Sequence, residues 1–130
     1  MRTIAAAGLL LALAVFAIDT GAARYGKRQL FGSIAYNSKT GTYGFAVDRK
    51  TKRDAETEAF RQCGDCDVIR TFRDSCGAIA DRPRKSSDKP KKSGFVWETG
   101  ASREIVERKA LQKCGGAECR IAVWACTSEK

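Results

Sequence analysis

The chain has 130 residues, of which 24 are Lys or Arg, 15 are Asp or Glu and none is His, so its formal net charge is +9 at pH 7. Without histidine, the chain cannot build Ser-His-Asp or Cys-His catalytic machinery, and it has no histidine base. Its positive charge favours anionic partners, although charge alone identifies no ligand.

The first 23 residues have the order of a secretory signal peptide. Arg2 supplies the positive start, residues 4–18 form an uncharged apolar run, and Ala22 and Ala23 are small residues of the kind found at a cleavage site. The apolar run is shorter than a membrane-spanning helix needs, which disfavours the alternative of an uncleaved anchor. The sequence therefore predicts cleavage after Ala23, export to the periplasm or out of the cell, and one mature domain, residues 24–130, without a transmembrane segment.

The mature chain contains an internal repeat, with one half in about residues 30–75 and the other in about 76–130. Runs rich in β-branched and aromatic residues predict strands in both halves. A duplicated unit of the same fold is therefore expected. The recurring segments are Phe31–Ala35 with Cys76–Ala80, and Gly44-Phe45 with Gly94-Phe95.

Each half also contains one predicted helix. A capping residue, Thr51 or Ser102, precedes a stretch with a narrow apolar stripe, and a glycine, Gly64 or Gly115, follows it. Each half then has the order strand, strand, helix, strand, with a turn at residues 37–41 in the first hairpin. This order predicts an α+β fold in which two ββαβ-like repeats form a mostly antiparallel sheet with the two helices on one face.

The second hairpin has a longer and more basic connection, residues 82–93, which contains both prolines of the chain. Its composition predicts a solvated loop. Nucleic acid is not an expected partner, because no aromatic residues are interleaved with these cations for base stacking. The candidate binding residues for an anionic envelope surface or polymer are Arg82, Arg84, Lys85, Lys89, Lys91 and Lys92.

All six cysteines lie in the mature chain, and an even number in an exported protein predicts three disulfides. Zinc is the alternative use, but the lack of histidine and the wide spacing of the last pair disfavour it, so neither a metal nor another cofactor is expected. Redox catalysis is disfavoured because Cys63 is predicted at a helix C-terminus, where the helix dipole opposes thiolate formation. The pairs that the repeat suggests are Cys63–Cys66, Cys114–Cys119 and Cys76–Cys126, the last joining the halves.

Carboxylates are the remaining candidates for catalysis. Asp48 and Glu98 take corresponding positions just before the two predicted helices, where they could converge as the acid and base of a hydrolase. The alternative is that both are solvated residues in turns. No glycine-rich phosphate-binding motif is present, so the sequence favours a domain without enzymatic activity.

The combined pattern is similar to that of a known family. Gly-x-Ile-Ala, then Gly-Phe, a capped helix ending in Cys-Gly, and a cysteine followed by a Val/Ile-rich strand resemble the exported bacterial family called domain of unknown function 4189, over residues 31–127. The match is closest at Cys76–Ala80 and Trp97–Ser102. The resemblance implies no catalytic residues, and residues 82–93 are longer and more basic than the family pattern.

Three functional hypotheses follow. The favoured one is a non-enzymatic protein-interaction or inhibitor-like module that binds another exported protein, because a cross-linked scaffold presents a surface at low entropic cost. The second is a cationic binder of an anionic envelope component, and the third is a carboxylate-dependent hydrolase. The sequence leaves the identity of the partner and the oligomeric state open.

Overall fold

Two ββαβ units follow one another along the chain, as the repeat predicts. The computed structural model describes residues 29–83 and 94–128, so the predicted signal peptide lies outside the described part. The predicted α+β class with two repeats is confirmed. The first unit contains β1 (Phe31–Tyr36), β2 (Tyr43–Arg49), α1 (Lys52–Cys63) and β3 (Val68–Arg73). The second unit contains β4 (Cys76–Asp81), β5 (Val96–Gly100), α2 (Arg103–Cys114) and β6 (Arg120–Cys126).

Each unit forms its own three-stranded antiparallel sheet, and the strand orders are β2-β1-β3 and β5-β4-β6. The first strand of each unit is central, because its small and apolar side chains suit burial on both faces. In β1, Ile34 and Tyr36 lie on one face, Ser33 and Ala35 lie on the other, and all four are buried. The predicted antiparallel pairing is present, but the expectation of one sheet with both helices on one face is corrected: the strands form two sheets, and one helix packs on each.

The two sheets pack face to face, and one helix covers the outer face of each. On the outer faces, Ala59 of α1 packs in one cluster with Ala35, and Val106 of α2 packs in another with Ala78. Small residues at these contacts let each helix approach its sheet closely. The order of layers is therefore α1, first sheet, second sheet, α2. Between the sheets lies the main hydrophobic core, formed by Ile34, Tyr36, Phe72, Ile79, Val123 and Ala125.

The helix ends agree with the predicted capping residues. The Thr51 and Ser102 hydroxyls accept hydrogen bonds from the backbone N–H three residues later, at 3.1 and 3.2 Å. At the other ends, Gly64 and Gly115 have positive φ angles of 83° and 73°, a region that glycine enters without steric cost. Neither helix of the described part combines the length and apolarity needed to cross a membrane.

Three disulfides cross-link the units internally. Cys76 and Cys126 lie directly opposite each other in the β4–β6 ladder, with their Cα atoms 4.0 Å apart. The prediction that this bridge joins the halves is wrong, because β4 and β6 belong to the same sheet. Within the described residues, the two units therefore pack together with no disulfide between them. The other two bridges connect each helix end to the segment before the next strand, as Cys63–Cys66 and Cys114–Cys119.

The strand ladders define which residues of the two units correspond. Ile34 of β1 lies opposite Phe45, and its counterpart Ile79 of β4 lies opposite Trp97, so Phe45 corresponds to Trp97. The sequence alignment that paired Phe45 with Phe95 is therefore wrong by two residues. A two-residue match is too short to define a register, which packing and hydrogen bonding decide.

Candidate functional site

The two candidate catalytic carboxylates lie in different environments. Asp48 lies in a bulge of β2 with a φ of 59°, and it accepts hydrogen bonds from the backbone N–H and the hydroxyl of Ser128 at 2.7 and 2.5 Å. Glu98 lies in β5, 3.4 Å from the ammonium group of Lys109 and 3.1 Å from that of Lys113. Asp48 thus holds the chain after β6 onto the first unit, and Glu98 holds β5 to α2.

The two carboxylates do not occupy corresponding positions in the units. Glu98 lies opposite Ala78 in its ladder, as Ala46 lies opposite Ser33, so the counterpart of Glu98 is Ala46. The expected correspondence between Asp48 and Glu98 is therefore wrong. Asp48 lies two residues after Ala46, which is the same two-residue error as in the match of Phe45 with Phe95. The correspondence was the reason for pairing the two as acid and base.

The ion pairs of Glu98 stabilise the fold in a pH-dependent way. Lys113, followed by Lys109, lowers the pKa of Glu98 below its ordinary value of 4.5, whereas a general acid needs a raised pKa. The stabilisation is therefore present above about pH 4.5 and is lost as the pH falls through the lowered pKa. We expect Glu98→Gln to reduce the free energy of unfolding by about 1 kcal/mol at neutral pH, and the difference to disappear in acid. Urea unfolding of both proteins across this pH range measures it, and a difference that persists in acid contradicts it.

The predicted basic binding residues fall mostly outside the described part. Arg82 is described: it is exposed, and its guanidinium donates a hydrogen bond to the carbonyl oxygen of Cys114 at 3.0 Å. This bond satisfies a carbonyl group at the C-terminus of α2, where a positive charge is favourable. Cationic binding through the remaining residues stays a prediction. Those residues are Arg84, Lys85, Lys89, Lys91 and Lys92, which lie outside the described residues.

An open cleft of about 640 Å³ lies between the end of β2 and the start of α1. Hydrogen bonds from Arg61 and Gln62 lower the pKa of Glu58 in this cleft to about 2, so its carboxylate stays ionised and offsets a neighbouring cation. The described residues also contain no group of three His, Cys, Asp or Glu side chains placed to hold a metal ion. The cleft lining has charges of both signs, from Asp48, Arg49, Lys50, Arg53, Asp54, Thr57 and Glu58.

The core between the sheets is filled differently on its two sides. On one side, the rings of Trp97 and Phe72 pack with centroids 6.1 Å apart, and those of Phe95 and Tyr36 pack at 5.5 Å. These contacts join the β5 region to the first sheet. On the other side, β2, which corresponds to β5, contacts β6 of the second sheet.

On the side where β2 contacts β6, the second sheet lacks large side chains like Phe72 and Tyr36, which contact the rings of Trp97 and Phe95 on the first side. Gly32 of β1 lies opposite Phe72, and the corresponding Gly77 of β4 lies opposite Ala125. Ala125 therefore takes the place of Phe72 in the second sheet. Likewise, the last residue of β4 is Asp81, whereas the last residue of the corresponding strand β1 is Tyr36. Asp81 is buried and accepts hydrogen bonds from the Tyr36 hydroxyl at 2.5 Å and the Arg120 guanidinium at 3.0 Å.

Tyr43 and Phe45 of β2 are consequently left at the surface. Phe45 corresponds to Trp97, and two residues earlier Tyr43 corresponds to Phe95. Tyr43 is 48% exposed and Phe45 is 42% exposed, and in the described part of the chain neither ring stacks on another ring or on a cation. We call the surface formed by these two side chains the open side. The sequence predicted strands from these aromatic residues but not this exposure, which becomes visible only with the correct strand register.

The open side borders a free sheet edge, because β2 is an outer strand of its sheet. The backbone N–H of Phe45 points away from β1 and donates to the side-chain oxygen of Gln62 at 3.3 Å, which is long for a hydrogen bond. Alternate residues of an antiparallel strand direct their backbone groups to the same edge. Tyr43 therefore presents its N–H and C=O at this edge as well.

The other exposed apolar side chains differ from this pair. Phe60, Ile105 and Leu111 lie on the helices, where single exposed apolar residues are common. Trp124 of β6 is partly exposed, but the guanidinium of Arg103 lies over its ring at 3.9 Å from the centroid. Among residues 29–83 and 94–128, the open side is thus the place where uncovered aromatic rings adjoin the outer edge of a sheet.

Comparisons with known proteins agree with this fold. A family model described as Domain of unknown function (DUF4189) matches residues 31–126. Protein Mb1300c of Mycobacterium bovis and Protein Rv1269c of Mycobacterium tuberculosis are each 33% identical to the chain over 99 residues, which is 75% of this chain and 69% of each relative. The NMR structure of Rv1813c from Mycobacterium tuberculosis matches with a TM-score of 0.56 and 27% identity, over 96% of this chain and 99% of that one.

Proposed function

The chain belongs to the family described as Domain of unknown function (DUF4189), a description that names no activity. From the structure, we propose that the protein is an exported, non-enzymatic module that binds another exported protein through the open side. The observation that carries this proposal is the exposure of Tyr43 and Phe45, whose counterparts in the second unit pack against other rings. Aromatic residues are enriched at protein interfaces because they supply a large contact area at low conformational-entropy cost.

The scaffold supports this role. The Cys63–Cys66 disulfide closes the end of α1, which packs on the face of β2 opposite the open side. The strand is therefore fixed before binding, and association orders few groups of this chain. Three disulfides also suit an oxidising compartment, which supports export.

The other two hypotheses have less support. Binding of an anionic envelope component depends on residues 84–92, which lie outside the described part. The hydrolase hypothesis depended on corresponding positions for Asp48 and Glu98, which the strand register contradicts. Both carboxylates are also engaged by other side chains of the chain.

Site-specific photo-crosslinking tests the proposal. Phe45 and Phe60 are both 42% exposed, but Phe60 lies on α1 and not on the open side. We expect benzoylphenylalanine at position 45, in protein expressed in the cells that produce it, to form a covalent adduct with another exported protein. The same group at position 60 is expected to give no such adduct, because nothing there adjoins a free strand edge.

A substitution at the same position completes this test. With the crosslinked partner purified, Phe45→Ser should weaken its binding at least about tenfold, as at the centre of an interface, while Phe60→Ser leaves it unchanged. Phe45→Ser should change the free energy of unfolding by about as much as Phe60→Ser does, because the two side chains are equally exposed. Equal adduct yields at positions 45 and 60, or no adduct at position 45, would contradict binding through the open side.

A further inference from the structure

We infer that the partner binds the open side as an added β-strand: an extended, acidic segment that pairs with the free edge of β2 and places an apolar side chain against Tyr43 and Phe45. This inference rests on the proposed function and adds the mode of binding and the chemistry of the partner. It follows from the backbone groups at the edge, the side chains beside them and the charge around them.

The backbone at this edge is available for pairing. Tyr43 and Phe45 direct their N–H and C=O groups away from β1, and the N–H of Phe45 has a 3.3 Å hydrogen bond to the side chain of Gln62. An incoming strand exchanges that long side-chain bond for backbone hydrogen bonds of about 2.9 Å. Gln62 lies on α1, where its amide nitrogen also donates to Glu58 at 3.1 Å, so release of the Phe45 N–H changes a side-chain contact of the helix and not the sheet.

The side chains at this edge define what the added strand carries. A strand beside β2 extends the first sheet, so every second side chain of that strand lies next to Tyr43 and Phe45 on the inner face. The residue of the second sheet that corresponds to Phe72 is Ala125, which has no ring to cover an aromatic side chain. A large apolar side chain from the partner therefore supplies the contact that this side lacks.

The other outer strands are less suited to strand addition. β3 carries Arg70 and β5 carries Glu98 within the strand, and charged side chains on an edge disfavour pairing with another chain. β6 has Trp124 with Arg103 lying over its ring. In contrast, the charged residues of β2, Asp48 and Arg49, lie at its end, and residues 43–47 contain none.

Charge complementarity selects an acidic segment and disfavours a second copy of this chain. Lys39, in the turn before β2, and Arg120, on the strand of the second sheet that contacts β2, are both exposed. Asp81, bound to Arg120, and Asp67, beside Lys39, offset part of this charge, so the attraction comes mainly from the charge of the whole chain. The whole chain has a formal net charge of +9, so two copies repel each other and an acidic segment is attracted.

A displayed library of random nine-residue peptides tests this inference. Selection on the wild-type protein, with counter-selection on Phe45→Ser, is expected to enrich sequences that alternate Asp or Glu with apolar residues. The most enriched peptide, once synthesised, should bind the wild type at least about tenfold more tightly than it binds Phe45→Ser. Phe60→Ser, the matched control, should bind it as the wild type does.

Two chemical variants of that peptide separate the backbone from the charge. A copy with N-methyl groups on the amides that face β2 should lose binding, and a copy with Lys in place of the acidic residues should bind at least about tenfold more weakly. Full affinity of the N-methylated copy overturns strand addition, and full affinity of the Lys copy overturns the acidic preference. Failure to enrich any peptide over the counter-selection overturns the inference, while a crosslinked adduct at position 45 would still support the proposed function.

Discussion

Replacing Cys76 and Cys126 together by alanine is expected to lower the free energy of unfolding by about 4 kcal/mol. The bridge between them spans a sequence separation of 50 residues. In the chain-entropy model, a disulfide stabilises a protein by restricting the unfolded chain, and the effect grows with the length of the closed loop. This bridge therefore contributes more than either of the other two, although it lies within one sheet.

The Cys63–Cys66 bridge provides the matched control, because it spans only 3 residues. Replacing both of its cysteines by alanine is expected to cost about 2 kcal/mol. Urea unfolding of the oxidised proteins at neutral pH measures both losses. If removal of the Cys76–Cys126 bridge costs no more than removal of the short one, loop length does not explain its contribution.

Gly44→Ala is expected to destabilise the protein by about 3 kcal/mol, because α1 lies too close to β2 to accept a side chain. A Cβ atom at position 44 would lie 2.3 Å from the carbonyl oxygen of Ala59 and 2.7 Å from the backbone nitrogen of Cys63. Both are backbone atoms of the helix, so no rotamer change can relieve the contact. The helix must move away from the sheet, which opens the cluster around Ala35 and Ala46.

Gly94→Ala is the control for that substitution and also tests the strand register. The sequence alignment matched Gly44 with Gly94, whereas the ladders make Val96 the counterpart of Gly44. A Cβ atom at Gly94 would meet nothing within 4 Å, so this change should alter the free energy of unfolding by less than about 0.5 kcal/mol. Thermal and urea unfolding measure both variants, and similar losses for the two would contradict the observed register.

Local signals explain why much of the fold could be predicted from the sequence. Capping by Thr51 and Ser102 acts within one helical turn, and both helices begin where these residues predict. The duplicated order of elements then indicated the ββαβ units. The role of the Cys76–Cys126 bridge was misjudged because it depends on which strands share a sheet, and that is decided by contacts between residues far apart in sequence.

The candidate site could not be predicted in the same way. The exposure of Phe45 depends on a small residue, Ala125, eighty positions later in the chain, where the other side of the core has Phe72. No local pattern around Phe45 carries that information. The correspondence of Asp48 with Glu98, on which the catalytic hypothesis depended, failed likewise, because the strand ladders and not a short sequence match define the register.

The hydrogen bond between Tyr36 and Asp81 joins residues that hold the same position in their units. In a symmetric dimer of one unit, equivalent positions that meet at the twofold axis carry identical residues, so Tyr would face Tyr or Asp would face Asp. Covalent fusion of two copies into one polypeptide removes that restriction. One half can then carry the donor and the other the acceptor, as Tyr36 and Asp81 do.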